Sequence, residues 1–288
     1  CKARFCIICY VNQTSSMIKP VSTSFMPLLH VLYEEYGYDF SIYAEKHVHR
    51  RITDWFQKKK IKTENEAIEL IQKDRQAAYS FISCFSIGVT EMFRDPLFYT
   101  AFRKIIIPIL KTNPFIKIWY AGCATGEDVY SLAIMLKEEG VLNRCRIYGT
   151  DFNETFLQKA RKGIYSYDTI KKFTSNYTKS GGNSFFSDYY FSQYDSVIFN
   201  TELKKNIVWA NHNLVSDSVF SEVDVIICRN VLIYFNSELQ NNVLQLFIDS
   251  LSSKGILCVG DKETIQFSTA NSHFDTIDGK NGLYQLIL

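Results

Sequence analysis

Residues 121–128 read "AGCATGED", set between the apolar run "IKIWY" and the helix-like "VYSLAIMLKEE". In open parallel sheets, ligands bind beyond the carboxyl ends of the strands, where strand order reverses, and a glycine-bearing turn marks such an end. Charge and spacing then select the ligand. No Gly-Lys-Ser/Thr follows, so the turn is not a phosphate-binding P-loop. Gly122 and Gly126 are spaced GxxxG rather than GxGxxG, and the carboxylates of Glu127 and Asp128 would repel a pyrophosphate and welcome a cation. The next strand ends in "YGTD", which puts Asp151 where an acidic side chain accepts hydrogen bonds from ribose hydroxyls. A ribose with a cationic group and no phosphate fits S-adenosylmethionine, whose sulfonium and amino groups are positive. On this reading Gly122 and Gly126 allow close approach, Glu127 faces the methionine end or its neighbouring polar groups, and Asp128 belongs to the helix start.

These residues need a scaffold, and the pattern supplies an α/β one. After Pro114, short apolar strands alternate with amphipathic helices: "FIKIWY", "DVYSLAIMLKEEG", "RIYGTD", "ETFLQKARKG", "NIVWANHN", "VDVIICRN", "ELQNNVLQLFIDSL" and "GILCVGD". Such alternation predicts a doubly wound, Rossmann-like parallel sheet over 111–288 with helices on both faces. "FDTIDG" and "GLYQLIL", joined by "DGKNG", add an antiparallel C-terminal hairpin. The Gly, Ser and aromatic-rich stretch at 175–207 predicts a small inserted β subdomain. Residues 25–110 predict a small helical domain. In "YAEKHVHRRITDWFQKKK" Ala44, Val48, Ile52, Trp55 and Phe56 form one apolar stripe, and Lys46, Arg50, Arg51 and Lys58–Lys60 leave a basic face. Thr63 with Glu66 has the capping-box form. His47 and His49, two apart on a helix, point to different faces and are expected at the surface.

Composition narrows the function classes. Apolar residues make up 47% and charged residues 22% of 288, the balance of a folded soluble protein. A formal net charge of +2 argues against nucleic acid as a partner, so any electrostatic attraction must come from a local patch. Most of the eight cysteines lie in apolar runs, as small buried hydrophobes in a reducing, cytoplasmic setting. Cys6 and Cys9 form a CxxC without a second ligand pair, so no metal is expected. "FCIICYV" is too short to span a bilayer, which takes ~20 apolar residues. Residues 1–24 are left as an N-terminal extension of uncertain structure.

Five stretches carry a resemblance: "YGYDFSIYAEKHVHRRI", "VTEMFRDPLFY", "AGCATGEDVYSLAI", "YGTDFNETFLQKARKGIY" and "VDVIICRNVLIYF". In order and spacing the chain resembles the CheR family of S-adenosylmethionine-dependent protein-glutamate methyltransferases. The resemblance implies a donor site of Thr90, Arg94, Gly122, Glu127, Asp151, Asn213, Leu214, Arg229 and Asn230, with S-adenosylhomocysteine as product. It implies Arg94 and Tyr234 beside the transferred methyl. It also implies that Arg50 and Arg51 contact the substrate, a helical cytoplasmic segment of a receptor or other signalling protein. A monomer without membrane insertion is expected.

The resemblance has two departures. Relatives carry Asn two residues before the threonine, where Gly88 stands here, and a Gly-His-Ser-Glu run where "GDKET" occupies Gly260–Thr264. They motivate two alternatives: a donor-binding regulatory module without catalysis, or methylation of a different carboxylate acceptor. The chemistry itself needs no general base, because a glutamate with a pKa near ~4.3 is ionised at neutral pH. The enzyme's task is alignment, with reacting atoms ~3–3.5 Å apart. A two-pronged contact from Arg94 would orient the carboxylate.

Overall fold

The computed structural model describes residues 25–86, 88 and 90–287. The expectations for 1–24, including the CxxC, lie outside these residues. Four helices come first: α1 (Met26–Tyr36), α2 (Glu45–Lys59), α3 (Glu64–Lys73) and α4 (Arg75–Cys84). Val48, Ile52 and Trp55 are the buried stripe of α2, with Phe56 half-buried beside them, while Lys46, Arg50 and Lys58–Lys60 are exposed. Thr63 caps α3 by accepting from the Glu66 N–H, and the Glu66 carboxylate reaches back to Lys62 N at 2.9 Å. Two expectations on α2 change. His47 is only 6% exposed, because its ring packs on Tyr43 and Tyr234. Arg51 does not share the open face with Arg50: one helical step turns it inward, where its Nε is enclosed with no hydrogen-bond partner among the described residues.

The remainder runs α5 (Pro96–Ala101), a π turn at Phe102–Ile106, α6 (Ile107–Leu110), β1 (Ile116–Ala121), α7 (Glu127–Glu138), β2 (Cys145–Asp151) and α8 (Glu154–Lys162). Then follow β3 (Ile164–Ser166), α9 (Tyr167–Lys172), α10 (Thr174–Lys179), β4 (Tyr190–Gln193), β5 (Ser196–Phe199), α11 (Thr201–Lys204) and β6 (Ile207–Asn211). The chain closes with β7 (Val223–Cys228), α12 (Ser237–Ser250), β8 (Leu251–Val259), β9 (Phe274–Asp278) and β10 (Leu283–Leu286).

Seven strands form one sheet in the order β6-β2-β1-β7-β8-β10-β9. The first five are parallel, and β10 is antiparallel to both neighbours, which is the C-terminal hairpin read from the sequence. Both faces are covered, so β1 is a near-continuous apolar run whose side chains alternate between two cores. Ile116, Ile118 and Tyr120 pack with α5, α6 and α7. Trp119 and Ala121 pack with α12 and with residues of all four N-terminal helices. Residues 96–110, read from sequence as the end of the helical region, therefore pack on the face opposite α1–α4.

The small sheet β3-β5-β4 is antiparallel and starts at Ile164, earlier than the expected 175. Within 175–207, "SNYTK" is helical rather than strand. Tyr177 packs between Phe93 and Phe186, and its hydroxyl bonds Glu138, which fixes a helical turn before Gly181 and Gly182 end it.

Candidate active site

The chain builds outward from β1 through β2 to β6, then crosses to β7 and β8 on the other side. The reversal lies between β1 and β7, and the loops leaving β1, β2, β6 and β7 open there. They enclose a cleft of about 910 Å3, counted to its open mouth. Thr90, Arg94, Gly122, Asp151, Asn213, Leu214, Arg229, Asn230 and Tyr234 all line it. Glu127, Arg50 and Arg51 do not.

The glycine turn is explained by its neighbours. Gly122 has φ 71°, and a Cβ there would lie 2.6 Å from Val231 Cγ2, so the β1 loop can lie against the β7 loop only without a side chain. Gly126, at φ 89°, faces Ala160 and Trp209; it serves the packing of α8 and β6, not the cleft. Ala124 is left-handed at φ 48°, and its N–H donates to Asp151 Oδ2 at 2.9 Å.

The two carboxylates of α7 are reversed from expectation. Consecutive helical residues point about 100° apart, and Glu127 is the one that turns away. It accepts from Thr125 Oγ1 at 2.6 Å and lies 3.8 Å from Lys159, on the far side of the turn, where burial raises its pKa. Asp128 turns into the cleft wall. Its carboxylate accepts from the Tyr99 and Tyr120 hydroxyls, from Arg229 Nη1 at 3.3 Å and from the Arg94 backbone. Those donors fill the acceptor sites of one carboxylate. Burial raises its pKa against their pull.

Asp151 keeps capacity. Oδ1 accepts from Asn153 N and Oδ2 from Ala124 N, both at 2.9 Å, and the Phe152 backbone bonds the carboxylate as well, which leaves one of its four lone-pair directions open. Burial lifts its pKa to about 6 despite these N–H donors. Asn213 closes a local turn, its Oδ1 accepting from Val215 N at 3.1 Å, and Leu214 is half-buried next to it. Asn230 is left-handed at φ 60°. Its N–H donates to Glu263 Oε2 at 2.7 Å, and its Oδ1 is buried without a partner among the described residues.

Arg229 lines the cleft, yet both terminal nitrogens of its guanidinium bond protein groups, while Nε is buried without a partner among the described residues. The guanidinium donates to Arg94 O at 3.1 Å and to Asp95 Oδ2 at 2.6 Å as well as to Asp128, and it lies 4.1 Å from the Phe98 ring centre. Burial opposes its charge, but Asp128, the tyrosines and Asp95 hold its pKa above the usual value. Asp95 precedes α5 in the N-cap position without capping it, because its carboxylate is taken by Arg229.

The departures read from the sequence become local. Glu263, fourth in the "GDKET" run, holds the loop after β7 by accepting from Gly260 N, Asn230 N and Val231 N at 2.7–2.8 Å. The differences from the family fall on Asp261 and Lys262, which are exposed. Gly88 abuts α8: a Cβ there would stand 2.9 Å from Phe156 Cζ.

Several lining residues are not among the site residues read from the sequence. Tyr43, Phe85, Phe152 and Phe235 form an aromatic wall drawn from four separate segments. Phe40 stacks on Phe85 at 4.0 Å, and Tyr43 meets Phe235 edge-on at 5.0 Å. Tyr43 and Phe235 also pair through their main chains, and Ala44 N donates to Tyr234 O at 2.9 Å. His212 lies in the wall too, with Nε2 3.1 Å from Ser218 O.

A sequence profile described as CheR methyltransferase, SAM binding domain, matches residues 88–283. The chain belongs to the CheR methyltransferase family. Cher3 of Pseudomonas putida is 41% identical over 250 residues, covering 87% of this chain and 92% of that protein. Proteins named chemotaxis protein methyltransferase are 30% identical in Listeria innocua, covering 86% of this chain and 93% of that protein, and 30% identical in Borreliella burgdorferi, covering 83% and 87%. As a CheR-family methyltransferase the protein uses S-adenosylmethionine. Its cleft fits that donor on its own evidence: an aromatic wall for a flat base, a carboxylate with acceptor capacity left at the end of β2, and a buried amide oxygen on Asn230 without a partner among the described residues. No helix among the described residues is long and apolar enough to cross a membrane.

Proposed function

We propose that this methyltransferase acts on the side-chain carboxylate of a glutamate in a helical segment of a signalling or receptor protein, giving a glutamyl methyl ester. One observation carries the reading: Arg94 and Tyr234 line the same cleft as Asp151 and Asn213, and the main chain of Tyr234 is tied to the start of α2, the helix with the basic outer face. The names of the Listeria and Borreliella relatives agree with it. Bound S-adenosylmethionine supplies an electrophilic methyl group.

The residues of the chain do the placing. Asp151 takes the ribose hydroxyls. Asn213 and Leu214 flank the base, and the loop around Gly122 and Asn230 takes the polar methionine end. Arg94 holds the acceptor carboxylate, already ionised near neutral pH, and Tyr234 presents its hydroxyl beside the reacting atoms. A carboxylate gripped too tightly would be stabilised in the ground state, so an off-centre contact from Arg94 serves rate better than an ideal one. Arg50, on the open face of α2, meets acidic side chains of the acceptor helix. Arg51, turned inward, supports that helix instead.

The test is incubation with methyl-labelled S-adenosylmethionine and helical receptor fragments, followed by mild alkali. A glutamyl ester releases volatile methanol. Donor binding by calorimetry, with no base-labile product from any acidic helical fragment, would overturn the glutamate assignment.

A further inference from the structure

Arg94 sits in the middle of a backbone segment that the chain would not adopt unaided. Phe93 and Asp95, its two neighbours, are both left-handed, at φ 50° and 55°. Neither is glycine, and such conformations persist only where the surrounding structure imposes them.

The surroundings here are specific. Phe93 N donates to Ser131 Oγ at 2.8 Å, and Ser131 Oγ in turn donates to Glu127 O at 3.0 Å, inside α7. The backbone of Arg94 is hydrogen-bonded to the Asp128 carboxylate. Its carbonyl accepts from Arg229 Nη1, and the Asp95 carboxylate accepts from Arg229 Nη2. The Arg229 side chain is 1% exposed and that of Asp128 is 6% exposed. Tyr99 and Tyr120 hold Asp128 from two further elements.

We infer that Ser131, Asp128, Arg229 and Asp95 are positioning residues that hold residues 93–95 in a strained form so that Arg94 is presented to the acceptor at a fixed angle. The inference rests on the role given to Arg94 above. It moves Arg229 from ligand contact to support: its two terminal nitrogens donate to Arg94 O, Asp95 and Asp128, and its charge is what the buried carboxylate needs as a counter-ion. It also gives the acidic residue at the second position of α7 a purpose that a mere helix start would not need.

The test is a double-mutant cycle on the full chain, reading kcat and KM for the acceptor, donor affinity by calorimetry and thermal stability. Ser131→Ala and Asp95→Asn are each expected to lower kcat about 10- to 100-fold, the cost of misplacing a reacting group, with donor affinity within about twofold. In an Arg94→Ala background neither is expected to lower kcat further, because the group they position is gone. Ser131→Ala removes one hydroxyl, the acceptor for Phe93 N and the donor to Glu127 O, and keeps the cycle readable if Asp95→Asn folds poorly. A full additional loss in the Arg94→Ala background would overturn the inference alone. An Arg94→Ala protein with undiminished kcat would overturn the role of Arg94 and this inference with it.

Discussion

Asp151 is the residue whose ionisation the cleft controls most directly. Burial disfavours the charge and pushes its carboxyl up to about 6 from the ordinary 3.8. A carboxyl raised by folding contributes stability fully below its unfolded pKa and loses that contribution as pH rises through about 6. Hydrogen bonds from ribose hydroxyls act the other way, since they favour the ionised form. Donor affinity should therefore fall as pH drops from 7.5 towards 5. Asp151→Asn should flatten that dependence, and Asp151→Ala should weaken binding about 10- to 100-fold, the range of one or two charge-assisted hydrogen bonds. Calorimetry across this pH range checks all three. Gly122→Ala should destabilise the fold by about 1–3 kcal/mol, since the new Cβ meets Val231 and φ is 71°. Val231→Ala in the same chain should recover part of that loss in denaturant unfolding.

Legibility from sequence also divides at this scale. Asp151 is readable because a strand end fixes where its side chain falls. Glu127 and Asp128 are not, because the phase of α7 about its own axis decides which of two adjacent acids enters the cleft. Arg229 is harder still: Asp95, its partner, lies 134 residues earlier, and no spacing rule connects them.

The elements themselves are far more readable than their contacts. Every strand of the parallel sheet and the C-terminal hairpin follows from apolar runs and turn residues. The small sheet is misread at its start, since Tyr177 turns a polar, glycine-rich stretch into helix by long-range packing. On α2 the periodicity marks Val48, Ile52 and Trp55 as inward but gives no reason to bury a histidine. His47 is held at a pKa of about 4, chiefly by burial and next by Arg51, with the Phe85 backbone acting in the other direction. A histidine depressed by folding contributes its stability above its unfolded pKa of 6.5 and loses it as pH falls towards 4. His47→Phe keeps a ring against Tyr234 without the titration. It should retain on the order of 1–3 kcal/mol more of its neutral-pH stability than the wild type at pH 4–5, by chemical denaturation. Equal acid losses in the two proteins would rule out His47 as the source.

At the scale of the whole molecule, the cleft is a joint product of the N-terminal helices and the sheet. Ser86 at the end of α4 accepts from Asn153 Nδ2 at 3.0 Å, next to the start of α8, and Ala44 N binds Tyr234 O. Ala44 has φ −59°, a value proline also adopts, so Ala44→Pro removes this one donor with little other strain. Donor affinity should stay near wild type while kcat on the acceptor falls severalfold, because Tyr234 loses its anchor to α2. Loss of donor binding instead would mean that the tie supports the entire cleft.

The main-chain pair of Tyr43 and Phe235 has a practical corollary for where the chain can be cut. The family profile begins at residue 88, but a polypeptide started there would leave Phe235 without its edge partner and Tyr234 without a cap on its carbonyl. It would also uncover the sheet face that carries Trp119 and Ala121, which α1–α4 shield from water. The stretch that evolution marks as the donor-binding part is thus not a stretch that can be excised. Production of this methyltransferase for binding work has to keep the helices that the acceptor is proposed to meet.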